Sequence, residues 1–189
     1  MRDEGDFVDT TRFDPGTTWL HQVHGADVVI VTEPGQHAGA PADAAVTSVP
    51  GARLAVRTAD CVPIVLHRGL DVVAVVHAGW RGLAAGIVPA TIEAMGGATT
   101  AYLGPHIRAG CYEFGTAALD EVASELGDAV RSTTMWGTPA LDLTAAARAA
   151  LPDIDVMDSG ACTACTDLYP SWRARQETAR FATLAWLDP

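Results

Sequence analysis

Three residues of the kinds that bind metal ions each stand after a short apolar run. His24, Cys61 and His77 follow segments rich in Val, Leu and Ala, and a glycine lies close to each histidine. The carboxyl ends of strands are where open sheets place their ligands. Two imidazoles and a thiolate supply three ligands and leave one coordination position open, as in catalytic zinc sites. The pattern predicts one active site that binds zinc.

Each of these residues has a simpler interpretation when it is taken alone. A single His at a strand end is commonly structural, and a single Cys is commonly a small core residue. Their combination is what indicates a metal site. Asp60, beside Cys61, is a further catalytic candidate because it could orient a ligand or accept a proton. Aspartates in short turns, however, commonly bind their own backbone.

The basic residues are all arginines, 12 in number against 23 acidic residues. The absence of Lys excludes Schiff-base chemistry and a P-loop lysine. A net charge of −11 repels nucleic acid and anionic membranes, so neither is an expected partner. An anionic substrate would need a locally positive pocket.

Four arginines are candidates for binding such a substrate. Arg81 comes first, because the sequence predicts that it opens a helix after Gly79 and adds its planar fork to the N-terminal amides. A surface cap is the simpler interpretation of Arg81. Arg57, Arg173 and Arg180 are weaker candidates, since each could instead pair with surface acids.

The four cysteines indicate thiols or ligands rather than a disulfide framework, because no export signal is recognisable. Cys162 and Cys165 form a CxxC motif, but no second CxxC or His pair stands nearby to complete a zinc knuckle. The favoured interpretation is a partly buried turn that leads into the last helix. A redox or structural-metal role is the alternative.

Short β-branched runs and segments of helical spacing alternate along the chain. Strands are predicted at 18–22, 27–32, 44–48, 54–58, 63–66, 72–77 and 101–103, and helices at 80–95, 117–126, 142–151 and 171–187. Because several strands precede the first helix, we predict an α+β fold with mixed sheets. The 189 residues, 49% of them hydrophobic, fit a short acidic segment (1–17) followed by a single domain (18–189).

Without a signal peptide or an apolar run of roughly 20 residues, we expect a soluble cytoplasmic protein, either a monomer or a homodimer.

Several multi-residue motifs occur in an order that resembles one known family. The residues concerned are 22–25, 58–63, 77–82, 103–107 and 111–115. They closely resemble the motifs of the YfiH-like family, whose members have been called polyphenol oxidases, laccase-domain proteins and peptidoglycan editing factors and are now read as purine nucleoside phosphorylases. The resemblance runs from about residue 18 to the C-terminus.

The resemblance implies a fold, a metal site and an activity. It implies a layered α/β/β/α arrangement with mixed sheets and assigns the metal ligands to His24, Cys61 and His77, with zinc as the metal and copper as the second candidate. The implied activity is phosphorolysis of adenosine, inosine or methylthioadenosine to base and sugar 1-phosphate, with adenosine deamination as a second activity. A metal ion with an open position lowers the pKa of bound water to about 7, which suits deamination better than phosphorolysis.

Two departures from the family pattern affect substrate recognition. The family's longer N-terminal segment, with a glycine- and serine-rich stretch that ends in an Asn near the site, has no recognisable equivalent before Thr18. The family's Ser-aromatic-Arg-Arg reads Ser-Trp-Arg-Ala at 171–174, and its Thr-Gly-Arg reads Thr-Ala-Arg at 178–180. One positive contact is therefore missing, so sugar or phosphate recognition is expected to differ. Without the N-terminal segment, substrate binding is expected to be open, altered or lost.

Three other functions remain as alternatives. A multicopper laccase would need a His-rich copper cluster, which six histidines with three already assigned cannot build. A cysteine hydrolase or deamidase would use Cys61 as nucleophile and His77 as base, and a related hypothesis is an enzyme that edits peptidoglycan precursors. The non-enzymatic alternative is a degenerate metal- or nucleoside-binding module.

Overall fold

The computed structural model describes residues 13–188, and these form three sheets with short helices. The strands are β1 (Thr17–His21), β2 (Val28–Val31), β3 (Ala40–Pro41), β4 (Ala44–Thr47), β5 (Arg53–Thr58), β6 (Val62–Arg68), β7 (Val72–Ala78), β8 (Thr100–Leu103), β9 (Arg131–Thr133), β10 (Pro139–Leu141), β11 (Asp155–Asp158) and β12 (Phe181–Ala185). The α-helices are α1 (Trp80–Ala84), α2 (Ile87–Ala94), α3 (Thr116–Leu126), α4 (Leu143–Ala149) and α5 (Trp172–Arg175), with 3-10 helices at Ala109–Cys111 and Asp128–Val130.

The largest sheet is mixed and has the strand order β11-β8-β6-β7-β4-β2. Strands β6 and β7 form an antiparallel hairpin in which Pro63 pairs with His77. Strand β4 lies antiparallel to β7 on the other side, with Ala44 opposite Val76. All seven residues of β7 are buried, which explains why its sequence is an apolar run without alternation.

Side-chain alternation on these strands sends residues into two separate cores. Ile64 and Val76 belong to the core that also contains the buried residues of α1 to α4. Val65 and Val75 point to the opposite face, where they pack with Leu54 of β5 in a second core. The large sheet is therefore covered by helices on one face and by a second sheet on the other.

The second sheet has four strands in the order β12-β5-β1-β3. Strands β1 and β5 are parallel, so their carboxyl ends lie at the same edge. Strand β12 returns antiparallel to β5. The predicted layered single-domain fold with mixed sheets is confirmed. Of the predicted acidic segment, residues 1–12 lie outside the described residues.

The predicted last helix, residues 171–187, is wrong. Helix α5 ends at Arg175, and Gln176 follows in the left-handed conformation with φ 56°. Residues 181–185 instead pair with β5 over five positions. The spacing of Phe181 and Leu184 fits a helix, but main-chain pairing with an open sheet edge decides the local structure.

The predicted helix 80–95 is interrupted, and four short strands were not predicted. Gly86 has a φ of 84°, which ends α1 and starts α2, because a left-handed residue cannot continue a helix. Strands β3, β9 and β10 have two or three residues, and β11 has an acidic residue at each end. Such segments carry too little apolar pattern to be recognised.

Two helix ends agree with the sequence. The Asp142 carboxylate accepts a hydrogen bond from the Ala145 N–H at 3.0 Å, as expected of an N-cap. Gly127 follows Leu126 at the end of α3. No helix among residues 13–188 is long and apolar enough to cross a membrane.

Candidate active site and metal centre

The three predicted ligands lie together at one edge of the paired sheets. The potential ligand atoms of His24, Cys61 and His77 are all within 4.8 Å of one another. The Cys61 Sγ is 4.0 Å from the His24 Nε2, and the two imidazole rings meet edge to face with their centroids 4.7 Å apart. The loop after β1 supplies His24, the β5–β6 turn supplies Cys61, and β7 supplies His77.

A buried carboxylate that was not predicted holds two of these ligands in place. Asp43 has no exposed surface and directly precedes β4. Its Oδ1 accepts hydrogen bonds from the His77 Nδ1 at 2.7 Å and the His24 N–H at 3.0 Å. Its Oδ2 accepts from the Gly25 N–H at 2.8 Å. The sequence signal was an acidic residue at the entrance to an apolar strand, which is unusual without a buried partner.

The Asp43 contact also fixes the tautomer of His77. Burial alone would raise the pKa of Asp43, but the hydrogen bonds from His77 and Gly25 lower it, so the group is a carboxylate. An ionised carboxylate only accepts hydrogen bonds, so the His77 Nδ1 must donate. The His77 Nε2 is left for the ligand cluster. Metal-binding histidines are commonly oriented in this way by a carboxylate.

The cluster favours the charged forms of its thiol and its buried imidazole. Burial opposes ionisation of Cys61, but the hydrogen bonds from His24 and His77 lower its pKa to about 6. Burial likewise lowers the pKa of His77, but the hydrogen bonds to Asp43 and Cys61 raise it to about 9. Without a metal ion, Cys61 and His77 therefore form a thiolate–imidazolium pair at neutral pH.

Gly79 leaves the space that the cluster needs. A Cβ at this position would lie 2.9 Å from the His24 Cδ2 and 3.1 Å from the Cys61 Sγ. Its φ of −75° is ordinary, so the requirement for glycine is steric. Two imidazoles and a thiolate around a cradle that admits no side chain fit a zinc-type ion with three protein ligands.

The cluster opens into a cavity of about 590 Å³. All of the residues proposed from the sequence as catalytic, metal-binding or anion-binding line this cavity: His24, Arg57, Asp60, Cys61, His77, Arg81, Arg173 and Arg180. Aromatic side chains complete the wall, namely Trp80, Tyr112 and Trp172. A protein with a net charge of −11 thus has four arginines around a single cavity.

Arg57 differs from the other arginines because part of its guanidinium is buried and unsatisfied. Its Nε has no hydrogen-bond partner among residues 13–188, although buried polar atoms are normally paired. Burial lowers the pKa of Arg57, and the nearby charge of Arg180 lowers it further. Two cations in proximity with a free buried donor are an arrangement that an anion would stabilise.

The other three arginines of the cavity contact aromatic rings or backbone carbonyls. Arg81 is exposed and lies 4.2 Å from the Trp80 ring centroid. It belongs to a helix of five residues, too short to add much of a helix dipole. Arg173 lies 4.8 Å from the Tyr112 ring centroid. The Arg180 Nη1 donates to two backbone carbonyls near the start of β12.

Asp60 is saturated with hydrogen bonds from the C-terminal segment. Its Oδ1 accepts from the hydroxyls of Thr163 and Ser171, each at 2.7 Å, and its Oδ2 accepts from the Arg173 N–H at 2.6 Å. The residue is 7% exposed and has a φ of 88°, which is strained for a residue other than glycine. Asp60 therefore joins the Cys61 turn to the segment that carries Arg173.

His106, which lies in one of the family-like motifs, is outside the cluster. It is fully buried, with its Nδ1 2.8 Å from the Gly104 carbonyl oxygen and its Nε2 2.9 Å from the Thr144 hydroxyl. Burial lowers its pKa to about 4. His106 is thus a neutral, structural side chain at neutral pH. His21 lines the cavity but is not part of the ligand cluster.

Comparison with known proteins identifies the family. A sequence model described as multi-copper polyphenol oxidoreductase laccase matches residues 4–188. The chain belongs to this family. Its own donors are not those of a multicopper cluster, because the His-containing group among the described residues has two histidines and one cysteine.

Relatives in this laccase-like family carry a different functional name. The purine nucleoside phosphorylase of Streptomyces coelicolor is 42% identical over 181 residues, a match that covers 90% of this chain and 74% of that protein. The purine nucleoside phosphorylase YfiH of Shigella flexneri is 35% identical over 179 residues, covering 89% of this chain and 73% of that protein. The resemblance to the YfiH-like family is confirmed.

Solved structures agree with the fold. Neisseria meningitidis protein NMB0706 superimposes with a TM-score of 0.81 at 34% identity, covering 92% of this chain and 75% of that one. YlmD from Geobacillus stearothermophilus also gives a TM-score of 0.81, at 29% identity and with coverage of 92% and 74%.

Gly79→Ala should weaken metal binding at the cluster. The added methyl group would displace His24 or Cys61, and we expect a loss of affinity of roughly 10- to 100-fold, similar to the loss of a supporting contact around a metal. Gly115→Ala is the matched control, because Gly115 also precedes a helix with an ordinary φ and a Cβ there meets nothing within 4 Å. Zinc titration monitored by a competing chelator measures both. Equal affinities in the two variants would contradict the steric role of Gly79.

Alkylation of Cys61 in the metal-free protein should follow a pKa of about 6 rather than the usual value of about 8.5. Because the folded-state pKa is lowered, ionisation of Cys61 stabilises the fold fully above about pH 8.5, and this contribution is lost as the pH falls through 6. His24→Ala should raise the pKa, whereas His21→Ala, in the same cavity, should not. Mass spectrometry of the Cys61 peptide after timed alkylation gives the profile. An unchanged midpoint of the alkylation profile in His24→Ala would contradict the contact between His24 and Cys61.

Proposed function

We propose that this chain is a zinc-dependent purine nucleoside phosphorylase. The observation that carries the proposal is the single cavity in which a metal-ligand cluster faces four arginines and an aromatic wall. A nucleoside and inorganic phosphate together need an anion site, a stacking surface and a way to stabilise the departing base. The names of the relatives from Streptomyces coelicolor and Shigella flexneri support the same function.

In the proposed reaction, a phosphate oxygen attacks C1′ of the ribose and the bond from C1′ to the purine nitrogen breaks. The electron pair of that bond leaves with the base, which takes up a proton. The products are the free base and the 1-phosphate of the sugar, which for methylthioadenosine keeps its methylthio group. Adenosine, inosine and methylthioadenosine are the proposed substrates.

Arg57 and Arg180 are the proposed centre of the phosphate site. The free Arg57 Nε supplies a buried donor, and the neighbouring charge of Arg180 favours a bound anion. The first candidate from the sequence, Arg81, together with Arg173, would contribute positive charge from other parts of the same wall. Stabilisation of developing charge by fixed donors is commonly the largest contribution to catalysis.

The aromatic side chains are the proposed base site. Trp80, Tyr112 and Trp172 offer flat surfaces on which a purine can stack. Burial raises the pKa of Tyr112 to about 12, so its hydroxyl stays protonated and can donate a hydrogen bond to the leaving base. Asp60 acts in this proposal as a positioning residue, because its hydrogen bonds hold the backbone of Arg173.

His24, Cys61 and His77 would hold the metal, with Asp43 behind His77. A zinc ion in this position would supply Lewis-acid chemistry at an open coordination site, and copper is the second candidate. Deamination of adenosine is the proposed second activity, in which water adds to C6 of the purine and ammonia leaves, giving inosine. Incubation of metal-loaded protein with adenosine, with and without phosphate, separates the two activities through the adenine, hypoxanthine and inosine formed.

A cysteine hydrolase or deamidase is the second candidate, and one observation favours it. In the absence of metal, the lowered pKa of Cys61 and the raised pKa of His77 describe a thiolate beside an imidazolium, the usual state of an activated nucleophile. Editing of peptidoglycan precursors would use the same pair.

Chelation should abolish nucleoside turnover, and zinc should restore it. In the metal-bound protein the Cys61 thiolate is a ligand, so alkylation should be slow until the metal is removed. Turnover and alkylation of the Cys61 peptide are measured on the same samples before chelation, after chelation and after zinc is returned. Fast alkylation together with chelator-resistant turnover would favour the cysteine hydrolase. Absence of turnover in protein whose Cys61 is protected would favour a binding module.

Arg57→Ala should raise the phosphate KM by roughly 10- to 150-fold, because a charge-assisted hydrogen bond contributes about 1.5–3 kcal/mol. Arg53→Ala is the matched control on the same strand, where the side chain is exposed and pairs with Asp14. Steady-state rates over a range of phosphate concentrations at saturating adenosine give both values. A phosphate KM that is unchanged in Arg57→Ala but raised in Arg81→Ala would instead assign phosphate binding to Arg81.

A further inference from the structure

Three of the four cysteines form a second cluster that the CxxC motif alone does not reveal. The sulfur atoms of Cys111, Cys162 and Cys165 lie within 4.8 Å of one another. The Sγ atoms of Cys111 and Cys165, from residues 54 positions apart in the chain, are 2.9 Å apart. Cys111 ends the 3-10 helix Ala109–Cys111 and supplies the thiol that the sequence did not show. None of these residues lines the cavity of the proposed active site.

The backbone around the cluster is built to hold these sulfur atoms. The Arg108 N–H points to the Cys162 Sγ at 3.4 Å, a contact that favours a thiolate. The Arg108 guanidinium is in turn fixed by two hydrogen bonds to Asp158. Between Cys162 and Cys165 a tight turn is closed by a hydrogen bond of 3.2 Å from the Cys165 N–H to the Cys162 carbonyl.

The segment that carries the CxxC motif is irregular, and hydrogen bonds and one bridge hold it rather than a helix or a sheet. From the end of β11 at Asp158 to the start of α5 at Trp172, the chain forms no helix or strand. The side chains in this segment with no exposed surface include two polar ones, Thr163 and Ser171, whereas Leu168 is 74% exposed. Irregular segments of this length in compact domains commonly have a functional or stabilising element. A metal clip that closes a long loop is such an element.

We propose that Cys111, Cys162 and Cys165 form a second metal site, which binds zinc through three thiolates and fixes the C-terminal segment. Thiolates select soft ions such as Zn²⁺ and Cu⁺, and the CxxC turn presents two sulfur atoms at the spacing common in zinc sites. Cys111 and Cys165 line a second cavity of about 650 Å³ together with Met135 and Trp136, so a fourth ligand could reach the metal from there.

Hydrogen bonds connect this site to the proposed active site. Thr163, inside the CxxC turn, donates to the Asp60 carboxylate, and Asp60 is adjacent to Cys61. The Arg175 Nη2 donates to the Thr163 carbonyl at 3.2 Å. Zinc at the thiol cluster would therefore hold the turn that positions Asp60 and the backbone of Arg173. The inference concerns metal binding and does not depend on which reaction the enzyme catalyses.

Cadmium titration of reduced Cys61→Ser protein tests the second site, because the three remaining thiols all belong to this cluster. We expect about one Cd²⁺ per chain, with the ultraviolet charge-transfer absorption of three thiolates, and displacement by excess Zn²⁺. Adding Cys165→Ser should lower the affinity by more than about 100-fold, since even the loss of a supporting contact costs 10- to 100-fold. Cys165 is exposed, so this variant should fold, and circular dichroism checks that it does.

Met135→Leu in the same Cys61→Ser background is the matched control. It removes a thioether from the wall of the same cavity and should leave the cadmium affinity unchanged. Absence of thiolate absorption in a chain whose three thiols are shown to be free would overturn the proposal. Absorption that Cys165→Ser does not reduce would also overturn it. A Cys111–Cys165 disulfide that persists in reductant would overturn the proposal as well, because these two sulfur atoms would then not be free to bind a metal.

Discussion

The buried carboxylate of Asp43 is the interaction on which the rest of the site depends. It receives the imidazole of His77 from the large sheet and the backbone N–H groups of His24 and Gly25 from the loop that leaves the second sheet. A charge without exposed surface is costly unless it is fully paired. The loop after β1 therefore has little freedom to move away, and His24 is held in a left-handed conformation with φ 60°. One carboxylate fixes both the distance between two ligands and the tautomer of one of them.

A second buried carboxylate organises another part of the cavity wall. Asp60 collects the side chains of Thr163 and Ser171 and the N–H of Arg173, so the C-terminal segment is attached to the Cys61 turn rather than to a large apolar core. The two carboxylates have different roles, because Asp43 orients the candidate metal ligands and Asp60 holds the part of the cavity wall that carries Arg173. Both carboxylates are satisfied by the chain itself. The charge that remains for a substrate to meet is therefore positive.

The electrostatics of the cavity oppose those of the whole molecule. An overall charge of −11 would repel an anion at long range, but screening limits that field to about 8–10 Å at physiological salt. Inside the cavity the nearby arginines dominate. Among the described residues, two buried side-chain atoms have no hydrogen-bond partner, the Arg57 Nε and the Thr58 Oγ1, and such exceptions are commonly functional. The second thiol cluster lines a neighbouring cavity that also contains Arg173, and it connects to Asp60 through the Thr163 hydroxyl.

The sequence by itself determined the ligand types, because His24, Cys61 and His77 stand in motifs that combine apolar runs with glycine and acidic residues. It also determined the class of fold, since β-branched runs and helical spacing are local properties that packing amplifies. Only the tertiary structure decided which residues meet. Strand register and loop closure bring Asp43 and Cys111 to their partners. Neither contact can be recognised from the neighbouring residues in the sequence. The strand at Phe181–Ala185 was decided in the same way, because the edge of β5 offers main-chain hydrogen bonds that outweigh the helical spacing of its side chains.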